Sequence, residues 1–590
     1  MNRETFLESF GHIADAPGGI DKLRSLILDL AMRGRLTGRQ ITDEPATALL
    51  QRAREAKAAL IADGRIRKPT AYGPVAPDDE PYPLPTGWAW CRTVDLIHTV
   101  NGRAFKPTEW SNSGLPIIRI QNLNNPAAPF NYFSGCVDEQ HLVEPGDLLI
   151  SWSGTPGTSF GSFVWYGPVG VLNQHIFKCN LFEDYRDFIC LAINSRLDVL
   201  IDDAHGGVGL QHFTKDKLER LPLAIPPMQE QQRIVQRVRE LMDLCDELGQ
   251  RQEAKAEVRS ALTASALNLI TEAGSADLRD TVRAFADNIG LHLAPGDGDL
   301  AAIKRVREAI LDLAARGRLT HQDSADEPAT ALIERITSER ARLVRAGAIR
   351  RPQSVTAMRE QDMPFAAPPG WSWCRLGGLL VTPLANGRSV PTRDDGFPVL
   401  RLTAMRGEII DLGEYKGGDW TAAQARPYLV EGGDILVARG NGSISLVGRA
   451  SRVADDIGAA RVAYPDTMIR MQPPRDAVDS AFLTLLWNSP LVRTQVELKA
   501  RTTAGIYKVS QDDLREVSLP IPPLNEQGRI VRRVTALFVL CDALETQLNA
   551  ARALRGDVAA SVAAHAISAT STPYNDADLP LVASIGTLTR

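Results

Sequence analysis

The chain has 590 residues, of which 44% are hydrophobic and 23% charged, and its formal net charge is −5. This is an ordinary composition for soluble domains, and the length suffices for several of them. It excludes a globally basic nucleic-acid-binding protein, so any such surface must be local. No apolar run approaches a membrane span, and no signal-peptide pattern opens the chain. Seven cysteines without a Cys-x-x-Cys pair indicate buried thiols in a reducing compartment, so cytoplasm is the expected location.

The first half of the chain opens with two predicted helices, at 20–35 and 44–63. Arg33-Gly34 is typical of a helix end, and Pro45 suits a first helical turn. A proline-rich connector at 69–86 then leads into a globular segment at 87–224. In that segment, short apolar runs at 116–120 and 147–150 predict strands, and Thr214 predicts the N-cap of a short helix.

The same order recurs in the second half. Helices are predicted at 303–318 and 327–346, a connector at 352–369, a globular segment at 370–520 with strands at 398–402 and 434–437, and a short helix capped by Ser510. Three local sequences repeat at one offset: 26–37 as 309–320, 43–49 as 326–332, and 87–92 as 370–375. The chain is therefore a tandem duplication, roughly 1–282 and 283–590.

Each half ends in a long predicted helix that begins with Ile-Pro-Pro, at 225–227 and 521–523. The second helix carries an apolar stripe with alternating steps of four and three, a coiled-coil spacing: Ile530, Val534, Leu537, Cys541, Leu544 and Leu548. The first helix matches the stripe from Ile234 to Leu248 and breaks it at Gln252. Neither helix can bury such a stripe alone, so we expect the two to pack on each other.

The two globular segments are much less alike than the helices. They share mainly turn residues such as Gly146-Asp147 and Gly433-Asp434. Two similar helical surfaces can hold two copies of one partner. Two dissimilar globular segments on the same frame can hold two different targets. This contrast is the most informative feature of the sequence.

This layout resembles the specificity subunit of type I restriction–modification systems. The resemblance rests on Ile-Pro-Pro-x-x-Glu-Gln at 225–231 and 521–527, Gly-Trp-x-Trp at 87–90 and 370–373, and the Gly-Asp turn-strand segments at 143–149 and 430–436. It covers nearly the whole chain. No single motif is decisive, but the duplicated order of the motifs is a strong signal.

The resemblance implies an α+β fold in which two mixed target-recognition domains are separated by two long antiparallel, coiled-coil helices, with helical segments before each domain. It also implies a bipartite, gapped double-stranded DNA site, two copies of a DNA adenine methyltransferase subunit, and restriction–translocase subunits. The subunit would be non-catalytic, without cofactor or metal. The boundaries are 1–72 (N-terminal helical segment), 73–224 (first recognition domain), 225–282 (first spacer helix and linker), 283–355 (repeated helical segment), 356–520 (second recognition domain), 521–570 (second spacer helix) and 571–590 (tail).

Polar residues at the ends of predicted strands are the candidate DNA contacts, because Arg suits guanine and Gln or Asn suits adenine. In the first domain these are Arg119, Gln121, Asn122, Ser151, Ser153, Thr155, Gln174 and His175. In the second domain they are Arg401, Thr403, Arg439, Asn441 and Ser443. Further candidates follow Asn-Gly turns or precede the short helices: Arg103, Lys106, Arg388, Gln211, His212, Tyr507 and Lys508. Each of them could instead be an ordinary solvated or turn-forming residue.

Other interpretations remain open at this point. Trp88, Trp90, Trp371 and Trp373 could stack on bases, although core packing at the domain entry accounts for them more simply. The chain could be an adaptor with two protein-binding domains, an enzyme that acts on DNA unaided, or the specificity subunit of another phage-defence methylation complex. No nucleotide-binding, zinc-protease or nucleophile-elbow motif is present, and neither is the signature of an adenine methyltransferase.

Overall fold

The computed structural model describes residues 3–38, 40, 42–125, 127–154, 159–202, 211–273, 277–293, 299–503 and 505–568. The chain forms two compact units, one made of residues 1–255 with 552–590 and the other of residues 256–551. Each unit combines helices with small sheets, which confirms the mixed α+β tandem fold. The predicted domain boundaries stay a prediction.

The first unit begins with helices and continues into a sheet-rich segment. Its helices, up to the first long one, are α1 (Arg3–Ala14), α2 (Gly19–Met32), α3 (Ala46–Ala62), α4 (Ile120–Asn124), α5 (Arg186–Asn194), α6 (Leu197–Asp202), α7 (Lys215–Arg220) and α8 (Met228–Glu272), of which the part up to residue 255 belongs to this unit. Its strands are β1 (Ala89–Arg92), β2 (Ile97–Asn101), β3 (Leu115–Ile118), β4 (Asn131–Phe133), β5 (Leu142–Val143), β6 (Leu148–Ser151), β7 (Ser153–Gly154), β8 (Gly161–Val164), β9 (Gly170–Leu172), β10 (Ile176–Leu181), β11 (Gln211–His212) and β12 (Pro222–Ile225).

The second unit repeats this plan. Its helices are α9 (Leu278–Asp287), α10 (Ile289–His292), α11 (Asp299–Ala315), α12 (Ala329–Arg345), α13 (Leu376–Leu379), α14 (Ala422–Ala425), α15 (Ser480–Trp487), α16 (Pro490–Lys499), α17 (Gln511–Arg515) and α18 (Leu524–Ser568), of which the part up to residue 551 belongs to this unit. Its strands are β13 (Ser372–Arg375), β14 (Ala385–Asn386), β15 (Thr392–Leu400), β16 (Tyr415–Gly418), β17 (Ile435–Ala438), β18 (Gly440–Asn441), β19 (Ala450–Arg452), β20 (Met468–Met471), β21 (Arg501–Thr503), β22 (Ile506–Lys508) and β23 (Ser518–Ile521).

Both units contain an antiparallel four-stranded sheet with the same strand order. It is β2-β10-β6-β8 in the first unit and β14-β20-β17-β19 in the second. The first unit adds a mixed sheet, β4-β3-β9-β5, where the second unit has the β15-β16 hairpin. In the second unit single bridges extend the hairpin in the same order, Val399 with Ala463 in parallel and Leu429 with Ala463 in antiparallel, so the two globular segments share the plan of both sheets.

A two-stranded ladder closes each globular segment on the start of a long helix. Strand β1 pairs with β12, and β13 pairs with β23, so that Ala89 lies opposite Ile225 and Ser372 opposite Ile521. Beside each ladder an indole N–H donates to a buried glutamate of the long helix, from Trp88 to Glu230 at 3.2 Å and from Trp371 to Glu526 at 2.9 Å. The Gly-Trp and Ile-Pro-Pro-x-x-Glu-Gln motifs are therefore two sides of one contact.

The other repeated sequences reinforce this junction. Asp43 and Asp326, which begin the second repeated sequence, pair with Arg233 and Arg529 of the long helices at 2.5 and 2.6 Å. Gly317 ends helix α11 with φ +67°, and a Cβ there would lie 2.9 Å from the ring of Trp371. A side chain at this position would strain the backbone and press on that ring. The repeated sequences form a frame because they contact one another.

The Gly-Asp segments are turns that come directly before strands β6 and β17. Asp147 accepts a hydrogen bond from the backbone N–H of Glu144 at 2.7 Å, and Asp434 accepts one from Glu431 at 2.9 Å. Burial raises the pKa of the Asp434 carboxyl, although hydrogen bonds from Glu431 and Gln472 oppose the shift. Each turn leads directly into a fully buried strand, β6 or β17.

In the first unit, the apolar stripe of α8 is buried together with the N-terminal helices. Ile234, Val238 and Leu241 share a core with residues of α1 and α2. Gln252, where the stripe breaks, donates a hydrogen bond to the carbonyl of Ala14 at the end of α1, at 2.7 Å. We expected the two long helices to cover each other's stripe. The same core also contains Ala559 and Ala566 of α18, together with α1, a helix that the sequence did not predict.

The cysteines are all free thiols. Cys91, Cys179, Cys245, Cys374 and Cys541 are buried, as expected, and burial raises the pKa of the Cys374 thiol to about 12. Cys136 is exposed, so the expectation of buried thiols was wrong for that residue. Among the residues that the structure describes, no helix combines the length and apolar character needed to cross a bilayer.

We expect Glu526→Ala to lower the free energy of unfolding by roughly 3 kcal/mol or more, because Glu526 is fully buried and accepts hydrogen bonds from Trp371, Thr320 and Gln322. Glu334→Ala, the same change on an exposed face of α12, should alter it by less than about 0.5 kcal/mol. Chemical denaturation followed by tryptophan fluorescence measures both. Equal values for the two variants would contradict the structural role of the contact.

The Asp326–Arg529 pair predicts a pH dependence. Hydrogen bonds from Arg529 and then Asn525 hold the pKa of Asp326 below its ordinary value. A carboxylate whose pKa is lowered by folding stabilises the fold above its unfolded pKa of about 3.8 and loses that contribution as the pH falls through the folded value. The stability difference between the native chain and Asp326→Asn should therefore shrink as the pH is lowered from about 6 to about 3. A difference independent of pH in denaturation curves would refute this.

Candidate nucleic-acid interface

In each unit a short ribbon of strands continues from the four-stranded sheet, after β6 in the first unit and after β17 in the second. In the first unit β7 pairs with β11, which places His212 opposite Ser153 and Gln211 opposite Gly154. In the second unit β18 pairs with β22, which places Lys508 opposite Gly440 and Tyr507 opposite Asn441, and β21 pairs with the other side of β22. We call these ribbon 1 and ribbon 2. Each ribbon joins candidate groups that are far apart in the sequence.

The two ribbons have the same backbone connections at their base. Trp152 donates its backbone N–H to His175 O at 3.2 Å and accepts a bond from Phe213 N at 3.1 Å. Arg439 donates to Thr467 O at 2.8 Å and accepts from Val509 N at 3.0 Å. Trp152 and Arg439 therefore occupy equivalent positions, as do His212 and Lys508.

The side chains at these equivalent positions have different chemistry. In the first unit the Trp152 ring lies 5.5 Å from His175, 6.4 Å from His212 and 5.6 Å from Phe177. Gln174 is hydrogen-bonded to His175, with 3.3 Å between the two side-chain nitrogens. Ribbon 1 is therefore aromatic and polar, and it brings together Ser153, Gln174, His175 and His212. Trp152 is not among the contacts predicted from the sequence, although it lies between the candidates Ser151 and Ser153.

In the second unit the same place is cationic and polar. Arg439 donates to the carbonyl of Asp466 at 3.3 Å. The Asn441 side chain accepts the backbone N–H of Ser443 at 3.0 Å, and the Ser443 hydroxyl lies 2.9 Å from that of Ser445. Lys508 is exposed, whereas Tyr507 is half-buried against the core. Ribbon 2 therefore brings together the candidates Arg439, Asn441, Ser443, Tyr507 and Lys508.

The structure buries Ser153 of ribbon 1, which is 9% exposed, and more completely two further candidates of the first domain. Ser151 is 0% exposed, and its hydroxyl donates to backbone carbonyls of the β6–β8 turn. Asn122 is 1% exposed; its side chain accepts from Arg119 N and donates to Ala128 O, both at 3.1 Å. Both side chains hold the backbone in place and do not face the solvent. Thr155 lies outside the described residues, as does the side chain of Gln211.

The remaining candidates lie outside the ribbons. Arg103 pairs with Glu109 and lies 4.9 Å from the rings of Phe105 and Phe133, and Arg119 lies 5.7 Å from Trp110. Gln121 donates to the carbonyl of Pro129 at 3.2 Å, and Thr403 donates to Glu414 at 2.8 Å. Exposed side chains complete this set: Lys106, Arg388 and Arg401.

The entry tryptophans belong to the packed interior of each unit. Trp88 and Trp371 are 8% and 6% exposed and are bonded to the long helices. Trp90 packs at 5.0 Å on Tyr82, and Trp373 at 4.9 Å on Phe365. Core packing at the domain entry, the simpler interpretation, accounts for all four. Within the described chain no group of histidine, cysteine and acidic side chains is arranged to hold a metal ion.

Comparison with known proteins assigns this architecture to a class. Residues 85–258 and 370–551 each match the family described as the type I restriction modification DNA specificity domain. Each match begins at a Gly-Trp entry, passes through a ribbon and ends in a long helix. Because the two matches cover more than half of the chain, it belongs to this family of DNA specificity subunits.

Similar proteins span about nine-tenths of the chain. It is 27% identical over 564 residues to the type I restriction enzyme EcoEI specificity subunit of Escherichia coli, covering 90% of this chain and 91% of that protein. It is 26% identical over 564 residues to the EcoAI specificity subunit of the same organism, covering 91% and 93%. The solved HsdS subunit from Thermoanaerobacter tengcongensis is 15% identical and covers 82% of this chain and 98% of that one, and its TM-score of 0.35 adds nothing to the assignment.

We expect Asn122→Ala to lower the free energy of unfolding by about 1–2 kcal/mol, because the change leaves Arg119 N and Ala128 O without their partner. Gln121→Ala, one position earlier on the exposed side of α4, should alter it by less than about 0.5 kcal/mol. Denaturant titration of the two variants measures the difference. If Asn122→Ala kept full stability but bound DNA more weakly, Asn122 would again be a candidate DNA contact.

Proposed function

We propose that the chain recognises a bipartite, gapped double-stranded DNA site, with each globular segment reading one half. The observation that carries the proposal is the pair of ribbons. One backbone framework presents Trp152, His175 and His212 in the first unit, and Arg439, Thr467 and Lys508 in the second. Similar frames with unlike contact residues suit two different short sequences on one duplex.

The chemistry of the two ribbons suits DNA. Histidine and glutamine offer donors and acceptors to base edges, arginine can read guanine, and lysine can hold phosphate. These groups stand at strand ends and on short ladders, where a rigid sheet positions them. The second recognition surface in each unit would come from the second sheet, β4-β3-β9-β5 in the first unit and β15-β16 in the second.

The long helices would dock two copies of a DNA adenine methyltransferase subunit, and restriction–translocase subunits would join through them. Exposed apolar residues on α8 support such a partner: Val258, Leu262 and Leu269 are 69%, 46% and 61% exposed. Their spacing of four and seven places them on one face of the helix. The chain itself would then be the non-catalytic reader, and the methyl transfer would take place on the partner.

The test is the methylation pattern of cells that carry the chain together with its methyltransferase. We expect adenine methylation at a two-part motif with a fixed gap. Replacing residues 87–224 with the corresponding segment of a related subunit should change one half of the motif and leave the other half and the gap unaltered.

The matched control replaces residues 370–520, which should change the opposite half. A continuous motif, or an exchange that alters both halves, would contradict division of the site between the units. Absence of any new methylation, with the purified chain binding proteins and not DNA, would favour the adaptor.

A further inference from the structure

Two cations lie directly opposite each other on ribbon 2. Arg501 of β21 is the register partner of Lys508 of β22. Opposite residues of an antiparallel pair have their side chains on the same face, so these two positive charges are neighbours. Both side chains are exposed, and neither forms an ion pair within the described part of the chain. Like charges in this arrangement repel, which is unfavourable unless an anion lies between or above them.

The strand alternation shows which face carries the charges. Tyr507 is half-buried against the core of the unit, so its neighbours along β22 face the other way. Ile506, on the same face as Lys508, is 44% exposed. The face therefore combines two cations with an apolar side chain and is open to solvent.

Ribbon 1 has no counterpart of this pair. The position equivalent to Lys508 is His212, opposite Ser153. The segments 151–177 and 197–214, which form and flank ribbon 1, contain no lysine or arginine. Lys215, just beyond them, donates a hydrogen bond to the carbonyl of Thr99 at 2.7 Å and forms an ion pair with Glu219 at 3.5 Å.

We infer that Arg501 and Lys508 form a phosphate-binding pair for the DNA backbone, and that ribbon 2 carries more of the electrostatic part of binding than ribbon 1. The inference rests on the proposed function, since it names the residues by which that site holds DNA. Ribbon 1 contributes contacts that depend little on salt, and ribbon 2 contributes contacts that weaken steeply as salt rises.

The experiment measures the affinity of the full-length chain, purified with its methyltransferase, for a duplex of about 40 base pairs of mixed sequence over about 50 to 200 mM salt. Each phosphate neutralised contributes about 0.9 to the slope of log affinity against log salt. The double variant Arg501→Gln with Lys508→Gln should therefore reduce that slope by about 1.8. The thermal unfolding midpoint should stay the same or rise, because a repulsion is removed.

The matched control is Arg350→Gln with Arg351→Gln, which removes two exposed charges from the connector after α12. Its slope should remain close to that of the native chain. If the native complex bound DNA without any salt dependence, the proposed function would fail. If it bound with a steep slope that the ribbon variant left unchanged, or that the control variant reduced equally, only the phosphate pair would be refuted.

Discussion

The hydrogen bond between an entry tryptophan and a buried glutamate is the contact on which each half of the chain depends. It joins the strand that opens a globular segment to the helix that follows its last strand, beside a ladder pairing those two strands. Both ends of the segment are thereby fixed at one point. In the second unit, Thr320 and Gln322 also donate to Glu526, so the segment that follows α11 reaches the same carboxylate. A buried acceptor with several donors is costly to disturb, which specifies the geometry as well as stabilising it.

The sequence predicted this frame well because its signals are local and occur twice. Helices α2, α3, α11 and α12 fall within a few residues of their predicted bounds, and Thr214 and Ser510 cap the expected short helices. Helix α15 was missed because its residues Phe482–Trp487 are all buried, so no polar face marks a helical period. Helix α1 was missed too, although the break at Gln252 marks the place where its last carbonyl is met.

The candidate site was predictable only in part, because it is assembled from strand ends that meet through register. Nothing local distinguishes Ser153, which lies on ribbon 1, from Ser151, whose hydroxyl is used inside the turn. The same holds for exposed Gln121 and buried Asn122. The equivalence of Trp152 with Arg439 emerges only from the backbone hydrogen bonds that they share. Contact chemistry can therefore change completely while the strands that carry it keep their connections.

The first unit includes residues 552–568 of the last helix, α18. Ala559 and Ala566 of α18 lie in its core with α2, and Lys22 donates to the carbonyl of Gly556 at 3.4 Å. The ribosome releases the amino-terminal residues first, whereas α18, which packs against them, is synthesised much later. During synthesis, the surface of the first unit that packs against α18 therefore stays uncovered until α18 has been made. A message truncated near its end would thus damage the part of the protein that was translated first.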